Sequence, residues 1–327
     1  MAADSADRSP RLMWDDFQQG FSIGSPTATW FYFSAGSCVG DDGITTTSAQ
    51  GLRVVASGTH PQTGEPAFRR TLGQEAENGG LPGSLDHVKW LVYLNHMSAR
   101  GYPGFDVVPG QTLTCEAWLS GRTFGTAAHP FVAVIADPND DVRLACCAMN
   151  TLDFETGLVF NFFLTNARIY VLYERLPFAR DTLGNYAAFT CMIPVAERTP
   201  DAVHHLTVTY EKVRETVQWY VDEGEVYRVD KLGCVAERQY LMLDHGGVEV
   251  EVSPHQLAAG MGMFTLLDGY HANRGLVRLS SRLEYWSPEA GAPTEVRFLD
   301  DRSLQGNRLF GQGAQLEVHK YVVSRRP

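Results

Sequence analysis

The chain has 327 residues, 44% of them hydrophobic and 20% charged, a balance that can fill a substantial core. Its formal charge of −11 and its lack of any Lys/Arg cluster argue against a nucleic-acid partner. No run of about 18 apolar residues is present to span a bilayer, and Met1–Pro10 lacks the apolar centre of a secretion signal. A cytoplasmic location with reduced thiols at Cys38, Cys115, Cys146, Cys147, Cys191 and Cys234 is therefore expected.

Short apolar or alternating runs, punctuated by Gly, Pro, Asn and Asp, recur along the chain. Strands are predicted at Thr29–Phe33, Leu52–Ala56, Val88–Leu94, Leu113–Leu119, Phe131–Ala136, Leu144–Thr151, Leu158–Leu164 and Ile169–Tyr173. The series continues through Ala187–Ile193, Leu206–Tyr210, Val217–Val221, Met263–Leu267, Leu276–Leu283 and Leu316–Val323. Only Pro254–Ala259 and Pro66–Leu72 are expected to coil, and Asn78–Gly83 and Ser287–Pro293 to be loops. The fold class that follows is all-β: a two-sheet antiparallel jelly-roll sandwich forming one domain over residues 1–327, with 1–12 flexible. Two hairpins are legible. One turns at Thr165–Ala167, with Asn166 in the left-handed conformation, and the other at Asp222–Gly224, with Gly224 in that role.

Period-two reading sorts the side chains by face. Leu158, Phe160, Phe162 and Leu164 should be core, with Val159, Asn161 and Phe163 opposite. Ile169, Val171 and Tyr173 should point inward, and Tyr170, Leu172 and Glu174 outward. Leu113, Cys115, Ala117 and Leu119 should be core, with Glu116 and Trp118 facing away. Val88, Trp90, Val92 and Leu94 should be core, and His87, Lys89, Leu91 and Tyr93 opposite.

The order of Trp14-Asp15-Asp16-Phe17, Trp30, Asp41-Asp42-Gly43-Ile44, Thr114–Ser120, His205–Tyr210 and Val217–Gly224 resembles the concanavalin A-like lectin/glucanase superfamily. The layout is similar to that of family 16 glycoside hydrolases, and closer still to bacterial and fungal proteins known only as a domain of unknown function. That resemblance implies a ligand cleft on one sheet. Family 16 enzymes carry Glu-x-Asp-x-(x)-Glu on one cleft strand. The corresponding strand here, Leu158–Thr165, contains no carboxylate. Retaining glycosidases need two carboxyls about 5–5.5 Å apart, so that chemistry is not expected on this strand. The nearby pair Asp153 and Glu155 reads as turn chemistry.

If the outward faces line the cleft, Tyr93, Trp118, Phe163 and Tyr170 supply apolar area, and Lys89, Asn161, Glu116 and Glu174 are the polar anchors. Glu174 and Glu116 are the candidate catalytic carboxyls, because a carboxyl among aromatic rings is desolvated and can transfer protons near neutrality. No cofactor fingerprint is present and no metal site is assigned. His204-His205 diverge as strand neighbours, while the Asp137–Asp141 loop leaves calcium binding open. The expected function is a cofactor-independent cyclase, isomerase or lyase acting on a largely apolar small molecule in specialised metabolism. The alternatives are a carbohydrate-binding lectin-like protein and a glycosidase with displaced carboxylates. The expected partner is a small-molecule ligand, and the sequence does not fix an oligomeric state.

Overall fold

The structure, a computed structural model, describes residues 11–36, 38–72, 83–271, 274–279, 285–287 and 294–327. The chain outside those spans includes Met1–Pro10, most of the Asn78–Gly83 and Ser287–Pro293 loops, and the second half of the predicted Leu276–Leu283 strand.

Seventeen strands build two large sheets. In chain order they are β1 (Arg11–Asp15), β2 (Trp30–Tyr32), β3 (Gly43–Ser48), β4 (Gly51–Ala56), β5 (Val88–Leu94) and β6 (Phe105–Asp106). Then come β7 (Thr112–Phe124), β8 (Cys146–Leu152), β9 (Leu158–Leu164), β10 (Arg168–Arg175), β11 (Phe189–Glu197) and β12 (His204–Glu211). The last are β13 (Thr216–Val221), β14 (Gly224–Val229), β15 (Leu241–Asp244), β16 (Gln256–Phe264) and β17 (Gly313–Arg326). An eight-stranded sheet runs β14-β13-β12-β7-β17-β4-β3 with β1 on β17, and a nine-stranded sheet runs β15-β11-β10-β9-β8-β16-β5-β2 with β6 on β16. Every pairing within these two sheets is antiparallel. This is the two-sheet antiparallel jelly-roll sandwich that the spacing of apolar runs predicts, with 50% strand and 7% helix.

The core lies between the sheets and follows the period-two reading. Phe160, Phe162, Val171, Tyr173, Cys115, Ala117, Trp90 and Val92 belong to one continuous apolar cluster. Each fully buried Leu, Val or Phe contributes roughly 1.5–3 kcal/mol of transfer free energy. Val88 departs from the expected set and packs on the outer face, because a register irregularity pairs it with Phe264 out of phase with the rest of β5.

Several local expectations are corrected. Phe131–Ala136 is not a strand: Val132–Val134 form a 3-10 turn, and Val132 and Val134 are exposed. Pro254–Ala259 does not coil, since Gln256–Phe264 is a fully buried central strand. Its Ala and Gly residues lower strand propensity, but Gly260 has to be small, because a Cβ there would meet Val92 O at 2.2 Å and the Tyr93 ring at 2.7 Å. In the Pro66–Leu72 stretch, Pro66–Ala67 pair with Gly58–Thr59 as a short ribbon. Arg11 and Leu12, expected to be flexible, start β1 against the C-terminal strand.

Both hairpins form with different turn chemistry. Asn166 keeps a negative φ, and its side-chain amide instead pairs with the backbone of Thr123, accepting from its N–H at 2.8 Å and donating to its carbonyl at 3.0 Å. At the second turn Asp222 (φ 50°) and Glu223 (φ 72°) are left-handed, and Gly224 already belongs to the strand. A two-residue hairpin turn of this hand needs positive φ at both central positions. The Asp222 carboxylate accepts from the backbone N–H of His205 at 2.9 Å and meets His204 Nδ1 at 2.9 Å, which anchors it to β12.

Candidate active site

Much of the outer face of the nine-stranded sheet is covered by other parts of the chain. Beyond β16 the chain turns back across it: the Thr265 N–H bonds His87 O on one side of the sheet, and the Tyr270 N–H bonds Met242 O on the other. Leu91, Tyr93, Phe163, Leu172, Met192 and Leu266 thereby form a second apolar cluster outside the main core. β8 and β9 are consequently buried on both faces, which is why Leu158–Leu164 reads as a continuous apolar run.

Ionisable groups converge within this covered layer. Glu174, from β10, accepts a 2.5 Å hydrogen bond from Thr190 Oγ1 on β11, its direct cross-strand neighbour. Asp268, in the crossing segment, meets His87 Nε2 at 2.5 Å through one oxygen and accepts from the Tyr285 hydroxyl at 2.9 Å through the other. Burial raises the Glu174 carboxyl to about 7. The Thr190 hydrogen bond and the charge of His87 oppose the rise, and Asp268 adds to it. For His87, burial favours the neutral ring, but the charge and hydrogen bond of Asp268 outweigh it and hold the imidazole above its ordinary value. Burial would raise Asp268, yet His87 and the Tyr285 hydrogen bond keep it below the usual carboxylate value. The layer therefore holds a hydrogen-bonded histidine–carboxylate pair, in which Asp268 favours the charged ring, and a Glu174 carboxyl brought to about 7.

The other expected anchors are placed as follows. Tyr93 lies over Gly260, and burial followed by the Glu174 charge raises its hydroxyl, so it stays protonated. Lys89 is 1% exposed and donates to Asp86 O at 2.8 Å; burial lowers its amine to about 7 against the pull of Asp42. Asp86 is held in turn by Arg308 and by Thr71 Oγ1. Asn161 Oδ1 accepts from the Thr151 N–H at 2.7 Å and is occupied structurally. Phe163 stacks on Phe264 with ring centres 5.3 Å apart. Tyr170 donates to Asp140 at 2.8 Å.

Glu116 and Trp118 do not belong with these groups. β7 lies in the eight-stranded sheet, so their outward face is on the opposite side of the molecule from Glu174. There Glu116 bonds His205 at 3.1 Å and lies 3.6 Å from Arg326, and Trp118 stacks on His205 with centres 3.9 Å apart. Alternation correctly turned both residues away from the core but could not tell which sheet carried them. Asp153 is buried in its turn, accepting from Thr156 and Gln256, and Glu155 pairs with Arg100 at 2.5 Å. Sequence reasoning missed Asp268, Tyr285 and Thr190. His87 was readable by its face, whereas no local pattern marks Asp268.

Beside this cluster on the same face lies a cavity of about 770 Å³, with Tyr170, Met192, Met242 and Tyr270 among its walls. Met192 lies two residues beyond Thr190 on β11, so the Glu174–Thr190 pair borders the cavity along the sheet. Its polar lining includes Asp140, Arg168, Arg238 and Gln239. The aspartates of the Asp137–Asp141 loop are engaged by protein groups: Asp137 by the Asn139 N–H, Asp140 by Tyr170 and Arg168, Asp141 by Arg143. Among the described residues no group of three or more His, Cys, Asp or Glu is gathered to hold a metal ion.

Residues 14–327 match the family described as "Family of unknown function (DUF6081)", and the chain belongs to that family. A curated relative, "Uncharacterized protein L829" of Acanthamoeba polyphaga mimivirus, is 27% identical over 283 residues, 70% of this chain and 60% of that protein. The chain thus spans 60% of the length of that relative. Among solved structures, an endo-1,3-β-glucanase from Streptomyces sioyaensis aligns with TM-score 0.49 and 11% identity, covering 99% of each chain. The laminarinase catalytic domain of Thermotoga maritima aligns at 0.44 with 10% identity and 98% of each chain. Alginate lyase A1-II′ aligns at 0.40 with 8% identity, covering 86% of this chain and 82% of that one. Likeness at this level concerns sandwich layout and says nothing about a reaction.

Proposed function

We propose that this protein is a cofactor-independent acid–base enzyme that moves a proton on a small organic molecule bound against the outer face of its nine-stranded sheet. The observation that carries this reading is Glu174: a carboxyl brought to about 7 in a covered aromatic layer, facing the His87–Asp268 pair. Glu174 takes a proton from the substrate. The His87 imidazolium and the Tyr93 hydroxyl stabilise the negative charge that develops, and Glu174 returns the proton elsewhere or to a leaving group. Such a sequence serves an isomerisation, a cyclisation or an elimination, and the apolar walls favour a largely apolar substrate of specialised metabolism.

A second reading is favoured by the 770 Å³ cavity, whose Asp140, Arg168, Arg238, Gln239 and tyrosines suit a hydroxyl-rich ligand such as a carbohydrate. In that case Glu174 and Asp268, one raised and one lowered, are displaced carboxyls in the roles of acid and ionised partner. One experiment separates the two. Purified protein is incubated with a metabolite library and with glucan and alginate oligosaccharides, and products are followed by mass spectrometry. Conversion of a small molecule without change of mass or with loss of water, reduced about 100-fold or more in Glu174→Gln, supports the first reading. Conversion untouched by that substitution sinks it. Oligosaccharide turnover or binding that disappears in Arg238→Ala supports the second.

A further inference from the structure

The second strand of the site carries a polar group that the acid–base scheme does not use. Asn150 stands on β8 between Ala148 and Leu152, both in the outer apolar cluster, while its neighbour Met149 belongs to the main core. Alternation therefore directs Asn150 toward the covered face. The residue is 2% exposed, and its Oδ1 has no hydrogen-bond partner among the described residues. A buried amide oxygen left unpaired costs about 1–3 kcal/mol, a penalty that a bound donor removes.

The surroundings specify what that donor belongs to. Gly260 is the direct cross-strand neighbour of Asn150 and is itself paired with Tyr93, whose ring fills the space above the glycine. Tyr93 leads a wall of rings, with Phe154 at 5.4 Å, Phe31 at 6.1 Å and Phe33 at 6.2 Å. On the other side, Val159 pairs with both Leu152 and Glu174, which sets Asn150 two strands and two residues from Glu174. Strand geometry makes that roughly 12 Å between backbones, with Val159 and Asn161 of the intervening strand on the same face between them.

We propose that Asn150 is the specificity residue of this site and that it reads a hydroxyl group on a ring-bearing, otherwise apolar substrate. The hydroxyl donates to Oδ1, the ring packs against Tyr93 and its aromatic neighbours, and the reacting end of the molecule is directed toward Glu174. A hydroxyl both donates and accepts, so it satisfies the amide in either orientation. A carboxylate at the same point would set its charge against an amide oxygen in a layer that already holds Glu174 and Asp268. The inference rests on reading this face as the active site and names the substrate class that site takes: phenols and cyclic alcohols.

Phenol and toluene, nearly equal in shape, differ in the hydroxyl, and their binding to the intact protein is read by NMR titration without any turnover. Phenol should bind about tenfold more tightly than toluene, shifting the Asn150 side-chain amide, and Asn150→Leu should erase that preference while leaving Tm unchanged or higher. Asn150→Ser, smaller and still polar, should retain part of the preference and serves if the leucine variant does not fold. Equal affinity for the two probes, as expected if an ordered water satisfies the amide, overturns the proposal. So does a preference that survives Asn150→Leu, or phenol shifts confined to the cavity around Arg168 and Tyr240. Because no turnover is involved, a Glu174 carboxyl found to titrate near 4.5 would remove the acid–base reading and leave the hydroxyl preference standing.

Discussion

The outer faces of the two sheets carry nearly the same side chains and do different things with them. On the nine-stranded sheet, Glu174 lies between Val159 and Thr190 and feels the charges of His87 and Asp268. On the eight-stranded sheet, Glu116 lies beside His205 and Trp118. Depth does not distinguish them: the side chains of His87 and His205 are 17% and 20% exposed. Company does. Glu116 meets two cationic groups, His205 at 3.1 Å and Arg326 at 3.6 Å, and the neighbouring Lys320 sits 3.7 Å from the Trp118 ring. Glu174 has a threonine hydroxyl, while its histidine has been taken by a second carboxylate, Asp268. A carboxyl is poised for proton transfer when its burial is left uncompensated, and Glu174 lies on the face that the segment after β16 crosses.

The sharpest way to break this comparison is to remove the partner from each histidine. Asp268→Asn leaves His87 and the Tyr285 hydroxyl without a charged acceptor in the covered layer. Chemical denaturation should register a loss of about 3–5 kcal/mol, the range for breaking a buried pair. A loss under about 1 kcal/mol would mean that the layer is wet and that the contrast between the faces is wrong.

A smaller effect, with a sign that depends on pH, is expected from Glu174→Gln. Between the ordinary value of 4.5 and the folded value of about 7, the native carboxyl keeps a proton that the unfolded chain has released. Stability therefore falls as pH rises through that window. The full separation corresponds to about 3 kcal/mol. Glu174 keeps partial contact with solvent, so roughly 1–2 kcal/mol is the expected cost at pH 8. Glu174→Gln, which retains the acceptor for Thr190 and removes the charge, should raise Tm at pH 8 and leave it nearly unchanged at pH 4. Equal effects at both pH values would show that the carboxyl titrates normally.

The smallest change is expected on the other sheet. Glu116→Gln loses contacts to partners that are 20% and 43% exposed, His205 and Arg326, and should cost under about 1 kcal/mol with no effect on any activity that Glu174→Gln abolishes. Loss of activity in Glu116→Gln would move the site to the eight-stranded sheet.

Much of this molecule was legible without coordinates. The runs at Val88–Leu94, Leu158–Leu164 and Ile169–Tyr173 announced strands, and alternation assigned Phe160, Phe162, Val171 and Trp90 to the inter-sheet core because a pleated chain exposes successive side chains to opposite faces. The same period turned Glu174, Tyr93, Lys89 and Phe163 outward, together on one sheet. It failed where tertiary context overrides local preference. The Ala- and Gly-rich Gln256–Phe264 segment becomes a central strand because its neighbours' rings and backbone need the space a side chain would fill. The left-handed residues of the second hairpin are Asp222 and Glu223, held by a carboxylate that reaches β12.

What sequence determined by itself was periodic: which segments are strands and which side of each strand meets the core. Which sheet each strand joined, and what covered its other side, was decided by the tertiary structure. Glu116 and Glu174 carry the same local signature and part company only through strand order. The His87–Asp268 pair joins residues 181 positions apart, one flanking a strand and one in a segment that crosses above it. Alternation is a property of the backbone and can be read one residue at a time. Desolvation belongs to the assembled layers, and burial within them raises the Glu174 carboxyl to about 7.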